Sequence, residues 1–300
     1  MIAVVLAALS GLVWGVGDFA GGKASQRIDA VTVVVLSKAA AVPLLLVYLV
    51  LMPATVHPAV LGWGAAAGVF GVAGMMVFYR AMAGGAMTIV APVSAVTTAL
   101  LPVGAGLLLG ERPGGLALAG AGCAIAAIGL VSLVPGDNTD LDDGAGTGPG
   151  VGGRGQAGAG RLLGLALGAG VAFGLFFICL SRAGDAAGGY AGMWPVLGAQ
   201  LAALAVGGPL LVRRRRAPGA ARLAGAPLRW LLVAGMLDMT ANALYIVAVQ
   251  SGDLSIIAPI ASLYPVSTVL LAMLVDRERL RPVQLAGLGL AATALVLVAS

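Results

Sequence analysis

Charge is what this sequence has least of. Asp and Glu number 12 and Lys and Arg 17, so that 10% of 300 residues are charged, where soluble domains carry about 25%. With 60% hydrophobic residues and a mean hydropathy of +1.04, a soluble globular chain is excluded and a membrane chain remains. Histidine is nearly absent as well. His57 is the single one, and without a second histidine or a carboxylate near it the clusters that hydrolysis, group transfer or metal binding require do not form. The two cysteines, Cys123 and Cys179, fall in apolar runs at unrelated spacing. That excludes a disulfide framework and a zinc site and leaves them as packing residues. No ATP-binding motif is present and no cofactor is implied. The net charge of +5 would suggest nucleic acid in a soluble protein, but six of the 17 basic residues crowd into 213–229. Basic loops of this kind orient membrane spans, so no nucleic-acid partner follows, while membrane lipid does.

What the chain does have is long apolar runs. A hydrocarbon core of about 30 Å needs about 20 helical residues, and ten such runs can be counted, near 2–22, 30–52, 60–83, 87–109, 115–134, 161–181, 190–212, 229–250, 254–275 and 282–299. The first lacks a basic leader and is read as a retained helix. All the breaks are short except 135–160, which is polar, glycine-rich and aperiodic, the composition of a flexible linker. Gly148, Gly150 and Gly153 make a formal Gly-x-Gly-x-x-Gly there, without the preceding strand that a dinucleotide site needs. Asp137, Asp140, Asp142 and Asp143 lack the ligand spacing of a calcium loop.

The chain also repeats itself. APVSAVTTALLPVGAGLLLGER at 91–112 returns 167 positions later as APIASLYPVSTVLLAMLVDRER at 258–279. The ungapped correspondence runs from Trp63 to Leu133 against Trp230 to Ser300, through Trp63/Trp230, Ile89/Ile256, Pro92/Pro259, Glu111/Glu278 and Arg112/Arg279. Two copies of one unit are implied rather than a solenoid. The predicted fold class is therefore an all-α integral membrane protein of ten transmembrane helices, with repeats at 1–134 and 161–300 around the linker at 135–160. Five crossings per half make the second copy start from the opposite side, the inverted-topology plan of secondary transporters.

The 5+5 layout, the paired A-P-[VI] entries to the fourth and ninth spans, the GER and RER endings and WGVGDFAGGKAS in the first span resemble the EamA family of the drug/metabolite transporter superfamily. The resemblance covers essentially the whole chain. It implies a carrier of small metabolites or drugs, proton-coupled or exchanging a counter-substrate, and often an exporter. It leaves the solute open.

Charges inside spans are costly, on the order of 2.5–3.5 kcal/mol or more at the bilayer centre, so the few present are candidates for function. Asp238 lies about ten residues into its span, near the midplane at about 1.5 Å per residue. Asn242 and Tyr245, at i+4 and i+7, share its face, and the stripe reads either as a substrate contact or as an interhelical hydrogen-bond network. The corresponding positions in the first copy are Gly71, Met75 and Phe78, without charge. Asp18 and Lys38 lie at similar depth on the first two spans, either as a structural pair or with Asp18 carrying a coupling proton. Trp14, at i−4 from Asp18, is placed to hold a cationic or aromatic solute, or to pack. Pro92 and Pro259 would kink their helices, for gating or for fit. Glu111 and Arg112 at a span end read as interfacial anchors or as a gating ion pair. Gly-xxx-Gly pairs such as Gly11/Gly15, Gly64/Gly68 and Gly170/Gly174 allow close helix approach; a homo-oligomer is left open.

The reading is a membrane transporter of a small organic solute, with Asp238, Asn242 and Tyr245 at the site and Asp238 or Asp18 holding the proton. The alternatives are a membrane enzyme on lipid-linked substrates and a non-transporting membrane subunit. Two lysines against 15 arginines suggest a GC-rich bacterial genome and a cytoplasmic membrane. Positive charges concentrate in the odd-numbered loops, which places both termini outside, whereas the resemblance implies termini inside.

Overall fold

The computed structural model describes residues 1–25, 28–82, 87–132, 152–216, 228–264, 266–267 and 282–299. Those residues contain ten helices and no strand: α1 (Ile2–Ser25), α2 (Ala30–Leu51), α3 (Pro58–Met82), α4 (Met87–Leu108), α5 (Gly115–Ser132), α6 (Gly152–Ala186), α7 (Trp194–Arg215), α8 (Leu228–Val249), α9 (Leu254–Ala261) and α10 (Pro282–Ala299). Six of them, α1, α2, α3, α6, α7 and α8, are long and apolar enough to cross a membrane. In lipid a helix must satisfy its own backbone, and uninterrupted apolar sequence lets it do so without polar neighbours. The outer surface bears this out: Val5, Leu9, Leu12 and Val16 are exposed at helical spacing along α1, a stripe suited to acyl chains and not to water.

Two element boundaries differ from the sequence expectation. The stretch read as linker, 135–160, already turns helical at Gly152. No proline lies between Pro149 and the end of α6 at Ala186, and each added helical residue gains one hydrogen bond without a new nucleus. The seventh span starts at Trp194 and not near 190, because Gly188, Gly189 and Gly192 have positive φ and Pro195 sits in the first turn of α7. Gly192 also passes close to α2, where a Cβ would lie 2.6 Å from the Met52 carbonyl oxygen. Of the ninth span, 254–275, the part beyond residue 267 lies outside the described residues, as do Glu278 and Arg279.

The packing follows one pattern twice. α1 lies along α8 and α6 along α3; α2 packs on α8 and α7 on α3; α9 meets α1 and α4 meets α6; α5 and α10 pair with each other. Exchanging α1–α5 with α6–α10 leaves these contacts unchanged in kind. Glycines make them close. A Cβ at Gly235 of α8 would run into the Ser37 carbonyl of α2, and one at Gly68, 167 positions earlier, into the Ala199 carbonyl of α7. Gly11 of α1 and Gly170 of α6 would likewise meet the Ala261 and Ser94 carbonyl oxygens at 2.7 and 2.6 Å.

Contacts between helix ends fall into two faces. On one, Arg214 at the end of α7 lies 3.8 Å from Asp29, the residue that caps α2. On the other, Trp194 Nε1 donates to the Ala54 carbonyl at 2.9 Å and the Ala191 amide to Gln250 Oε1 at 3.1 Å. Glu111 belongs to this second face. Its carboxylate accepts the Leu254 and Ser255 amides, both at 2.8 Å, and so supplies the cap of α9 that the side chain of Asp253 does not. Arg112 turns instead to the Leu107 and Glu111 carbonyls. Glu111 is thus neither a plain interfacial anchor nor Arg112's ion-pair partner.

Candidate functional site

The charges deep in the bundle are set in place by the glycine contacts. Gly235 brings α8 against the Ser37 carbonyl, so the next residue of α2, Lys38, falls beside the next turn of α8. There Lys38 Nζ donates to Asp238 Oδ2 at 2.6 Å. This corrects the expected Asp18–Lys38 couple. Equal depth on consecutive spans fixes height and not azimuth, and α1 and α2 touch little while both lean on α8. Asp18 lies on the same cavity as the pair, and among the described residues no hydrogen bond or ion pair reaches its carboxylate.

That cavity has a volume of about 150 Å³. Asp18, Lys38 and Asp238 line it together with Trp14, Asn242 and Tyr264. Asn242 Nδ2 turns back along its own helix and donates to the Asp238 carbonyl at 2.7 Å, so the amide steadies α8 and leaves the Asp238 carboxylate to Lys38. Tyr245, one turn on, does not line the cavity. It is fully buried behind it, its ring centroid 4.7 Å from that of Phe177 and 5.7 Å from that of Trp14. Pro259 is buried within α9, where its missing N–H leaves the Ser255 carbonyl without an intrahelical donor. Pro92 lies in α4, in a stretch whose side chains are outside those described. His57 is exposed in the loop after α2, with its Nε2 3.2 Å from Thr55 Oγ1. Among the described residues no group of His, Cys, Asp and Glu could hold a metal ion.

The opposite wall escaped the sequence reading. It consists of Phe173, Phe176 and Phe177 from α6, Gln200 from α7 and Gly71 from α3. Phe176 fills the space before Gly71, whose Cβ would lie 3.3 Å from that ring. The matched glycine contacts give the correspondence between the walls. With Gly11 set against Gly170 and Ser37 against Ala199, Trp14 answers to Phe173, Asp18 to Phe177, Lys38 to Gln200 and Asp238 to Gly71. Gln200 even donates its amide to the Lys38 carbonyl. Among the described residues, one side of the cavity, from α1, α2 and α8, holds Asp18, Lys38 and Asp238; the other, from α6, α7 and α3, is aromatic and uncharged. The paired glycines of α1 and α6 were the available signal, had they been used to align the two helices.

A family model described as the EamA-like transporter family matches residues 1–133 and 160–300. No curated protein matches the sequence. Among solved structures, a crystal structure of a protein 15% identical in sequence superimposes with a TM-score of 0.71, covering 99% of this chain and 98% of its own. At that identity the likeness is one of fold.

Proposed function

Because this chain belongs to the EamA-like transporter family, we propose that it is a secondary active transporter that exports a small organic metabolite or drug across a bacterial cytoplasmic membrane. Members of the family are transporters, and the chain is a multi-pass membrane protein. Its two five-helix repeats, 1–134 and 161–300, have opposite topology, and they expose the cavity between them to each side in turn. The doubled packing pattern and the two-part family match support this arrangement. The solute binds in the cavity. Asp18 or Asp238 carries the coupling proton, or the same site takes a counter-substrate, and the proline-bearing helices α4 and α9 bend as the site changes sides.

One observation carries the reading. In a chain with few charges, Asp18, Lys38 and Asp238 come from three helices to a single cavity, although each intramembrane charge costs on the order of 2.5 kcal/mol or more. Packing alone does not require that expense. The test is an untargeted comparison of small molecules inside and outside cells that express wild type or Asp238→Asn at matched membrane levels. A compound class that shifts with wild type and not with the variant is the expected result. An equal shift with both removes Asp238 from the mechanism. No shift with either favours a non-transporting subunit.

A further inference from the structure

The cavity's two unlike walls restrict what it can carry. We infer that its solute is an organic monocation bearing one flat apolar group, its positive end at Asp18 and its ring against the phenylalanines of α6. The inference rests on the reading of this cavity as the solute site.

Among the described residues, two carboxylates and one ammonium face the space, and the ammonium of Lys38 is held by Asp238 at 2.6 Å. One negative group, Asp18, is left without a hydrogen bond from any described residue, and it is exposed to the cavity. A single positive charge balances it. An anion would face two carboxylates beside a cation already engaged, and a second positive charge would meet Lys38 with no further carboxylate among the described residues. Like charges brought together in a water-poor site are strongly disfavoured, so both classes are rejected by repulsion as well as by lack of a partner.

Shape and aromatic character agree. A space of about 150 Å³ is on the order of that in which an apolar cavity takes up one benzene molecule, a size that suits a single ring. Trp14 lies one turn from Asp18 on α1, with its ring centroid 5.4 Å from that of Phe177 and 6.5 Å from that of Phe176. An ammonium at Asp18 is therefore one helical turn from an indole, a ring type that attracts cations, while the ring beyond it finds aromatic neighbours. The opposite wall has no charge at the positions answering to Asp18, Lys38 and Asp238, so the solute has one orientation. Lys38 emerges as a selectivity residue: by occupying Asp238 it limits the site to one positive charge.

The test is binding of labelled 2-phenylethylammonium to the purified full-length chain, in competition with phenylacetate and with the dication of 1,4-bis(aminomethyl)benzene. Wild type should prefer the monocation to both by about tenfold or more, and Asp18→Asn should lose about tenfold in its affinity. Lys38→Gln should gain about tenfold for the dication, a change of preference that a merely structural role for Lys38 would not produce. The inference is overturned if phenylacetate binds as well as the monocation, if Asp18→Asn binds as wild type, or if folded Lys38→Gln keeps the wild-type preference. Should Lys38→Gln not fold, the Asp18→Asn comparison decides. If the metabolite comparison finds an anionic or neutral solute that depends on Asp238, the cation assignment falls while transport stands. If no solute shifts and no cation binds, both fall.

Discussion

Glu111 is the residue whose role is most plainly mechanical. Leu254 and Ser255 are buried, so their amides have no ready substitute for the carboxylate that accepts them, and a hydrogen bond to a charged group contributes about 1.5–3 kcal/mol. Glu111→Ala is expected to destabilise the chain by about 2 kcal/mol or more, and Glu111→Gln, which keeps one acceptor, by less. Thermal unfolding in detergent measures both. Asp253, in the turn between α8 and α9, gives a pH-dependent counterpart. Burial, and after it the Glu111 carboxylate, push its carboxyl above the ordinary carboxylate range. Folding therefore raises its affinity for a proton. At neutral pH the ionised carboxylate counts against the folded state, and the penalty shrinks as pH falls from the raised value to the ordinary one, below which it is gone. Asp253→Asn should accordingly raise the Tm at neutral pH and lose that advantage in acid; a gain that grows in acid would reverse the assignment. Neither role was legible in the sequence. Glu111 stands at a span end where an anchor is the ordinary expectation, and its partners are more than 140 positions away. Asp238 was legible, because an acid mid-span is conspicuous. Its partner Lys38 was seen and matched to the wrong carboxylate.

At the scale of the helix, glycines decide which faces meet. Alanine at Gly68 or Gly235 would set a Cβ against a backbone carbonyl, which cannot rotate away, and overpacking of this kind costs about 1–3 kcal/mol. The two substitutions should destabilise to a similar degree, because the contacts are alike. Gly62, on the same helix as Gly68, has nothing within 4 Å of a Cβ; Gly62→Ala should be neutral or gain up to about 1 kcal/mol in helix propensity. Thermal unfolding of the three variants side by side separates packing from propensity, and a Gly68→Ala variant as stable as Gly62→Ala would refute the close contact. The sequence displayed Gly68 in a Gly-xxx-Gly pair with Gly64 among 47 glycines, too many for spacing alone to say which ones touch a neighbour, and Gly235 in no such pair. Helix existence read clearly from the apolar runs. The rotation of each helix, on which the aromatic wall depends, did not, since spans apolar all round carry little signal of which side faces inward.

At the scale of the molecule, the halves interleave. The principal helix contacts, α1 with α8, α3 with α6 and α7, α4 with α6 and α5 with α10, all join one half to the other. Residues 1–133 expressed alone should then be degraded quickly, and coexpression with 152–300 should restore membrane levels and co-purification; a stable, well-folded first half would contradict the packing. The repeat in the sequence announced two related units but could not say that they interleave, because similarity between copies carries no information on which copy a helix packs against. The uneven cavity needs a single chain. In a pair of identical subunits every substitution arrives twice, so a lysine opposite one carboxylate would bring a second lysine opposite the other. A single chain carries no such obligation: Asp238 stands where the matched position of the other wall is Gly71, and Lys38 where it is Gln200. Two identical subunits related by a two-fold axis could not form a cavity with one charged and one uncharged wall.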